Sequence, residues 1–260
     1  MEFIDTHSHL YLGEFDGDRD DVVKRALANG IKRILLPNID SGSISGMMQM
    51  CQSYPGICSP MIGLHPGSVK ENFAGELKII ENWIEHEEFI AIGEIGIDLY
   101  WDKNYKEQQT EVFEKQIQWA KQKKFPVVIH ARESFTEIFT VLDRNMDENL
   151  SGVFHSFTGN EEQVKIISEY GFYFGINGII TFKNSDLAKT VERIPVEKIL
   201  LETDSPYLSP APKRGKRNES SFLIYIAERL AQIYDLPVDQ LSQITTGNAE
   251  KLFKLRSRHE

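Results

Sequence analysis

The sequence predicts a (β/α)8 TIM barrel, an α/β fold that forms a single domain over residues 1–260. Two observations support this prediction. About eight short apolar runs alternate with longer stretches of helical periodicity, and residues that bind metals stand at the ends of several runs. In a barrel these ends open on one face, where barrel enzymes place their chemistry. An open, doubly wound sheet has the same local pattern and is the alternative architecture.

The predicted strands are short apolar runs in chain order. They cover residues 3–5, 31–38, 58–65, 89–98, 125–131, 152–157, 172–178 and 198–204. The run at 89–98 contains "GEIGID", whose glycine spacing and internal carboxylate differ from a dinucleotide-binding fingerprint. The sequence therefore gives no sign of a glycine-rich phosphate loop.

Between the runs lie stretches that are typical of amphipathic helices. Residues 19–30 end at a glycine, and residues 105–124 place Val112, Phe113 and Ile117 along one side. Residues 160–171 begin with an asparagine cap and end with a glycine. The tail from about 219 to 254 predicts two helices with a break near Pro237. The segment 205–219 is the one long irregular loop, and long loops inside a compact domain are often functional.

Composition restricts the classes of function. The net charge of −10 argues against broad, nonspecific binding to nucleic acid, although bound divalent cations would change the local field. No stretch approaches the roughly 18 apolar residues of a membrane helix, and the first ten residues do not resemble a signal peptide. Cys51 and Cys58 have neither metal-binding nor redox spacing. We expect reduced, packed thiols and a cytoplasmic protein without a membrane partner.

Histidines and carboxylates gather at the ends of the predicted strands. The histidines at these ends are His7, His9, His65, His130 and His155, and the acids are Glu94, Asp98, Glu202 and Asp204. Residues two apart on a strand face the same side, so His7 and His9 converge. Such a set on one rim is what Zn²⁺, Mn²⁺ or a similar ion needs. By contrast, we expect His86 on a solvated helix surface and His259 in a disordered tail.

The number of candidate ligands suggests two ions. Two histidine pairs and two carboxylates exceed the needs of one catalytic ion with an open position. A carboxylate between the pairs could bridge ions about 3.5–4 Å apart, which share a nucleophilic water and stabilise a leaving oxygen. Asp98 could instead hold a turn, and Glu202 could orient a ligand.

Six motifs in the same order resemble the TatD family of metal-dependent deoxyribonucleases, which belongs to the amidohydrolase-like barrels. They are "DTHSH" at 5–9, "GLHP" at 63–66, "GEIGID" at 93–98, "VIHAR" at 128–132, "HSFTG" at 155–159 and "ETDSPYL" at 202–208. The resemblance covers nearly the whole chain.

The resemblance implies a role for each matching residue. The implied metal ligands are His7, His9, Glu94, His130, His155 and Asp204, with Glu94 as the bridge and Asp204 also as the catalytic base. His65 and Arg132 would hold the phosphate, helped by Arg214 and Asn218 from the basic loop "KRGKRNES", and Glu202 would support a ligand from behind. Where the family usually reads Asn-Glu-Pro, this chain reads Asn218-Glu219-Ser220, a change that concerns loop rigidity.

The implied function is a hydrolase of ester bonds, a deoxyribonuclease that cleaves DNA phosphodiester bonds with water activated by two divalent ions. It would trim single strands or strand ends, with Zn²⁺, Mn²⁺ or Mg²⁺ as cofactor. Two alternatives stay open: a hydrolase of the same fold acting on an amide, lactone or aminoacyl ester, and a noncatalytic metal-binding protein. The aromatic residues Phe73, Tyr100, Trp101 and Tyr207 could stack bases or simply pack their loops.

Overall fold

Parallel strands form a closed barrel in the computed structural model, which describes residues 1–255. Within these residues there are eight strands: β1 Phe3–Asp5, β2 Ile31–Pro37, β3 Cys58–Met61, β4 Ile92–Asp98, β5 Val127–Arg132, β6 Gly152–Phe154, β7 Tyr173–Ile176 and β8 Ile199–Leu201. All eight predicted runs contain a strand, and several runs extend past the end of their strand into the following loop. The predicted (β/α)8 fold is therefore confirmed.

The helices surround the strands. They are α1 Arg19–Ala28, α2 Ser41–Ser53, α3 Phe73–His86, α4 Lys106–Lys123, α5 Phe135–Asn145, α6 Glu161–Glu169, α7 Leu187–Val191, α8 Leu223–Tyr234 and α9 Val238–Phe253. The side chain and backbone of Asn160 form a capping box with Gln163 at the start of α6, as its sequence predicts. None of the helices in residues 1–255 is both long enough and apolar enough to cross a lipid bilayer.

Two ladders of strands meet at two seams and close the barrel. Strands β1–β3 form one ladder and β4–β8 form the other. At the first seam, the amide of Gly93 donates to the carbonyl of Ile62 at 2.8 Å. At the second, the amide of Thr6 donates to the carbonyl of Leu201 at 3.0 Å. This closure excludes the open-sheet alternative and turns the carboxyl ends of all the strands toward one rim.

Helix α9 seals the opposite end. The apolar cluster inside the barrel consists of Ile4, Leu35, Met61, Ala91, Val128, Val153, Tyr173 and Leu200, together with Ala249, Leu252 and Phe253 of α9. The hydroxyls of Ser242 and Thr246 donate to the carbonyl of Glu2, and the amide of Asn248 donates to the carbonyl of Ile199. The barrel interior is therefore apolar at this end and polar at the rim.

The remaining residues singled out from the sequence are two cysteines and two histidines. Cys51 and Cys58 are unpaired, and Cys58 is buried. His86 is exposed near the end of α3, as predicted. His259 lies outside the described residues.

Candidate metal centre

The rim brings together the predicted metal ligands from five strand ends. His7 and His9 follow β1, Glu94 lies in β4, and His130 lies in β5. His155 follows β6, and Asp204 follows β8. Asp204 has a left-handed backbone with φ of 57°, a region that aspartate tolerates better than most residues. Its amide donates to the carbonyl of His7 at 2.9 Å, so that β1 and β8 hold it jointly.

Four donor atoms form the first cluster, around Glu94 Oε2. His7 Nε2 lies 3.1 Å from Glu94 Oε2 and 3.2 Å from His9 Nε2. Asp204 Oδ1 lies 3.9 Å from His7 Nε2 and 3.7 Å from His9 Nε2. Nitrogen and oxygen ligands about 2.1 Å from a tetrahedral ion are about 3.4 Å apart. The spacing of these donors thus fits a divalent ion such as Zn²⁺.

A second group of donors surrounds the other oxygen of the same carboxylate. His130 Nδ1 lies 2.8 Å from Glu94 Oε1, and His155 Nε2 and His65 Nε2 each lie 3.5 Å from it. Glu94 is fully buried and offers one oxygen to each group. This is the arrangement that a bridging carboxylate between two ions requires.

Hydrogen bonds fix which nitrogen of His9 faces the first cluster. The hydroxyl of Tyr11 donates its one hydrogen to the carbonyl of Pro37 at 2.7 Å. The Tyr11 oxygen must therefore accept a hydrogen bond from His9 Nδ1, which lies 3.0 Å away. His9 carries its proton on Nδ1, which leaves the lone pair of Nε2 free to bind a metal. Sequence reasoning missed Tyr11, whose position two residues after His9 on the same side was the available signal.

The same reasoning separates His65 from the metal ligands. The amide of Gly67 donates to His65 Nδ1 at 2.9 Å, so the neutral ring carries its proton on Nε2. A protonated Nε2 donates a hydrogen bond and does not bind a metal. The geometry is therefore compatible with the predicted contact between His65 and a phosphate oxygen.

Two carboxylates lie behind the second cluster. Asp98 Oδ2 lies 3.0 Å from His130 Nε2, and Glu202 Oε1 lies 3.0 Å from His155 Nδ1. Glu202 Oε1 also accepts from the amide of Ser156 at 2.6 Å. Asp98 holds a turn as well, because its Oδ1 accepts from the amide of Tyr100 at 2.9 Å. Asp98 therefore holds a turn and also contacts His130. From the sequence, a turn was one role open to Asp98, and the orientation of a ligand was one open to Glu202.

Burial and neighbouring charges set the ionisation of the centre. Burial opposes the charge of Glu94, but the imidazoles of His155, His65 and His7 outweigh it and hold its pKa well below the usual range. Burial lowers the pKa values of His7, His9 and His155, and the charge of Glu94 offsets part of this shift for all three.

The pKa values of two further groups, Asp204 and His130, are raised. Burial raises the pKa of Asp204 to about 7. Burial opposes the charge of His130, but the hydrogen bonds that its ring donates to Asp98 and Glu94 outweigh it and raise its pKa to about 9. In the metal-free protein His130 is therefore protonated and positively charged. A metal ion that binds to this ring must displace one of its protons.

The centre opens into a cavity of about 720 Å³, which is within the roughly 300–1,000 Å³ of ligand sites. His65 and Arg132 both line it beside the donor atoms. The guanidinium of Arg132 is exposed and lies on the ring of Tyr100, with Cζ 3.9 Å from the ring centroid.

The structure corrects the role predicted for Asn218. Its side chain is buried, and its two amide hydrogens go to the carbonyls of Thr203 and Tyr207, at 2.8 Å and 2.6 Å. No hydrogen of that amide is left for a phosphate. Asn218 instead holds the loop after β8, which carries Asp204.

The basic loop is also engaged with the protein itself. The guanidinium of Arg214 lies on the ring of Phe182, 3.8 Å from its centroid, and Arg214 does not line the cavity. Arg217 pairs with Asp18 at 2.8 Å. Arg214 and Arg217 thus brace the loop in this structure, and the phosphate contact of Arg214 stays a prediction.

Comparisons with known proteins show the family to which the chain belongs. The family model described as "TatD related DNase" matches residues 4–254. The chain is 38% identical over 252 residues to the uncharacterized metal-dependent hydrolase YabD of Bacillus subtilis, covering 96% of this chain and 98% of that protein. It is 34% identical over 251 residues to the 3'-5' ssDNA/RNA exonuclease TatD of Citrobacter rodentium, covering 94% and 95%. The crystal structure of the TatD homologue YjjV from Escherichia coli superposes with a TM-score of 0.92 at 26% identity, covering 98% of each chain.

Proposed function

The chain belongs to the family of TatD-related DNases, whose members include metal-dependent hydrolases, and on that premise we propose that it is a two-metal nuclease that cleaves phosphodiester bonds of DNA from a strand end. A relative is named as an exonuclease on single-stranded DNA and RNA, which supports single strands as substrate. The two unpaired cysteines support a cytoplasmic location.

One observation supports the proposal most strongly. The buried carboxylate of Glu94 presents one oxygen to each donor group, and two side chains that can donate hydrogen bonds, His65 and Arg132, line the same cavity. A tetrahedral donor set alone would suit many hydrolases. The added guanidinium fork favours an anionic phosphate over a neutral amide or lactone.

The ligands divide into two sets around Glu94. His7, His9 and Asp204 would hold one ion with it, and His130 and His155 the other. Bound divalent ions would supply acidity to a water and positive charge to the phosphate.

The chain's own residues complete the chemistry. Asp204 lines the cavity beside His9 and is placed to accept at its carboxylate the proton that the attacking water loses. Arg132 and His65 Nε2 would donate to phosphate oxygens that do not bridge the nucleotides and so fix the orientation of the phosphorus.

The test is cleavage of an end-labelled single-stranded oligonucleotide by chelator-stripped protein, with Mg²⁺, Mn²⁺ or Zn²⁺ added back in turn. We expect a ladder that shortens from one end in the presence of metal. Glu94→Gln should abolish cleavage and lower the bound metal to one equivalent or less, because an amide offers one oxygen where two are needed. Glu148→Gln, at an exposed glutamate, is the matched control.

Two results would contradict the proposal. Cleavage that persists in Glu94→Gln would remove the bridging role. Protein that binds two ions and leaves the oligonucleotide intact with every metal would redirect the search to amide and lactone substrates.

A further inference from the structure

All exposed aromatic side chains within residues 1–255 lie beside the metal centre. They are Tyr100 and Trp101 in the loop after β4, and Tyr207 in the loop after β8. Trp101 is 74% exposed, whereas Tyr100 and Tyr207 are each 49% exposed. An exposed indole at a cavity mouth leaves a large apolar surface in contact with solvent, which is typical of a binding surface.

Trp101 belongs to a fixed arrangement. The amides of Tyr100 and Trp101 both donate to Asp98 Oδ1, at 2.9 Å and 3.3 Å, so the turn is anchored on the carboxylate that also contacts His130. The rings of Tyr100 and Trp101 meet edge to face, with centroids 4.9 Å apart and planes at 87°. The position of the indole is therefore tied to the second donor group.

Arg132 places a cation between the indole and the metal centre. Its Cζ lies 3.9 Å from the ring centroid of Tyr100 and 5.3 Å from that of Trp101. A guanidinium held over an aromatic ring keeps N–H donors that can bind an anion. The chain thus presents an anion-binding group and an exposed aromatic face side by side in one cavity.

We propose that Trp101 is a nucleobase subsite: the base of the nucleotide next to the scissile phosphate stacks on its indole while Arg132 holds the phosphate. A nucleotide offers an anion and a flat π system at neighbouring positions. Stacking tolerates every base and requires that the base be unpaired, so this subsite selects single-stranded or frayed ends. This inference rests on the proposed function and specifies, for the same site, a substrate with an unpaired base beside the scissile phosphate.

The test compares the metal-loaded wild type with Trp101→Ala, Trp101→Phe and the control Ile79→Ala, which removes a 45% exposed side chain on α3. Two single strands serve as substrates, one normal and one whose terminal units are 1′,2′-dideoxyribose, which keeps sugar and phosphate and lacks the base. On the normal strand, Trp101→Ala should raise KM roughly 5- to 100-fold, as expected for the loss of one stacked base. Trp101→Phe and Ile79→Ala should stay close to the wild type.

On the baseless strand, the wild type and Trp101→Ala should have the same KM. Equal kinetics of Trp101→Ala and wild type on the normal strand, or an equal loss on both strands, would overturn the stacking role.

Fluorescence separates this inference from the proposed activity. Of the three tryptophans, Trp101 is exposed, Trp119 is buried and Trp83 is partly buried. Binding of the normal strand should quench the wild type and leave Trp101→Phe unchanged. Quenching without cleavage would support the subsite and contradict the nuclease. Cleavage by a wild type that shows no quenching would contradict the subsite and leave the nuclease intact.

Discussion

Asp98 shows how one side chain serves two parts of the site. One of its oxygens faces His130, and the other accepts from the backbone of the turn that carries Trp101. Its position at the end of β4 made it a candidate from sequence. Its two partners, however, come from β5 and from the following turn, and only the fold brings them together.

Replacement of Asp98 by asparagine separates its two contacts. The amide oxygen can still accept from the turn, but the amide nitrogen would donate to His130 Nε2 and leave the proton on Nδ1, which faces Glu94. We expect metal affinity at the second donor group to fall by roughly 10- to 100-fold. Chelator competition measures this change. Asp102→Asn, at an acid that pairs with Lys70, should keep the wild-type affinity, and equal affinity in Asp98→Asn would contradict the assignment.

The candidate metal ligands could be picked out from the sequence because alternation along a strand and the position of the strand end define where a side chain points. The hydrogen bonds that set the tautomers of His9 and His65 could not. Tyr11 acts through Pro37, and Gly67 acts on His65 through a backbone amide, so neither partner has a residue type that indicates the role. Asn218 was misassigned for a related reason, since two carbonyls of a folded loop use its donors.

At the scale of elements, backbone strain is concentrated where strands become loops. Seven non-glycine residues in residues 1–255 have positive φ. Lys124, Asp235 and Lys254 end helices, where this conformation is common. The other four, Glu133, Ser156, Asp204 and Leu208, follow β5, β6 and β8 at the rim. Sharp reversals there aim side chains back over the barrel mouth, in keeping with the strain found at functional sites.

Gly175 in strand β7 leaves room for the side chain of Glu202. A Cβ added at Gly175 would lie 2.3 Å from Glu202 Oε2, and Glu202 is held in place by Ser156 and lies against His155. Gly175→Ala should therefore destabilise the fold by about 1–3 kcal/mol and weaken metal binding. Denaturant unfolding and metal titration measure the two effects.

A second glycine provides the control for that substitution. A Cβ at Gly247, in α9, meets no atom within 4 Å, and Gly247→Ala should raise stability by up to about 1 kcal/mol. A Gly175→Ala variant with unchanged metal affinity would show that Glu202 does not position His155.

At the scale of the whole molecule, the alternation of apolar runs and amphipathic stretches was enough to predict a parallel α/β fold and the position of its eight strands. Closure was harder to derive, because an open sheet has the same local pattern. It depends on a few hydrogen bonds, such as those from Gly93 to Ile62 and from Thr6 to Leu201, between residues that no sequence periodicity connects. The loop at 205–219 was expected to be functional, and in the structure two of its arginines, Arg214 and Arg217, contact other parts of the fold.

Global stability should respond to pH in opposite ways with and without metal. In the metal-free protein the pKa of His130 is raised from 6.5 to about 9, so its stabilising contribution is complete below pH 6.5 and is lost as the pH rises through 9. The fall should be on the order of 3 kcal/mol. Burial also raises the pKa values of Asp204 and Glu202 to about 7, which adds a decline up to that pH.

In the metal-loaded protein, ligand atoms must lose their protons to bind, so stability should hold or rise over the same range. Thermal unfolding between pH 6 and 9 measures both slopes. The metal-free slope above pH 7 should flatten in His130→Gln, and an unchanged slope in that variant would show that another group titrates.

Helix α9 seals the floor of the barrel and also affects the order in which the chain folds during translation. Its apolar residues contact side chains from β1 to β8, and Asn248 holds the segment that leads into β8. A nascent chain that has emerged only as far as Pro237 therefore possesses every strand and every metal ligand but leaves the barrel's hydrophobic floor open to water. Helix α9 follows all eight strands in the chain and completes the core, so the candidate metal centre acquires its rigid support only after every strand has left the ribosome.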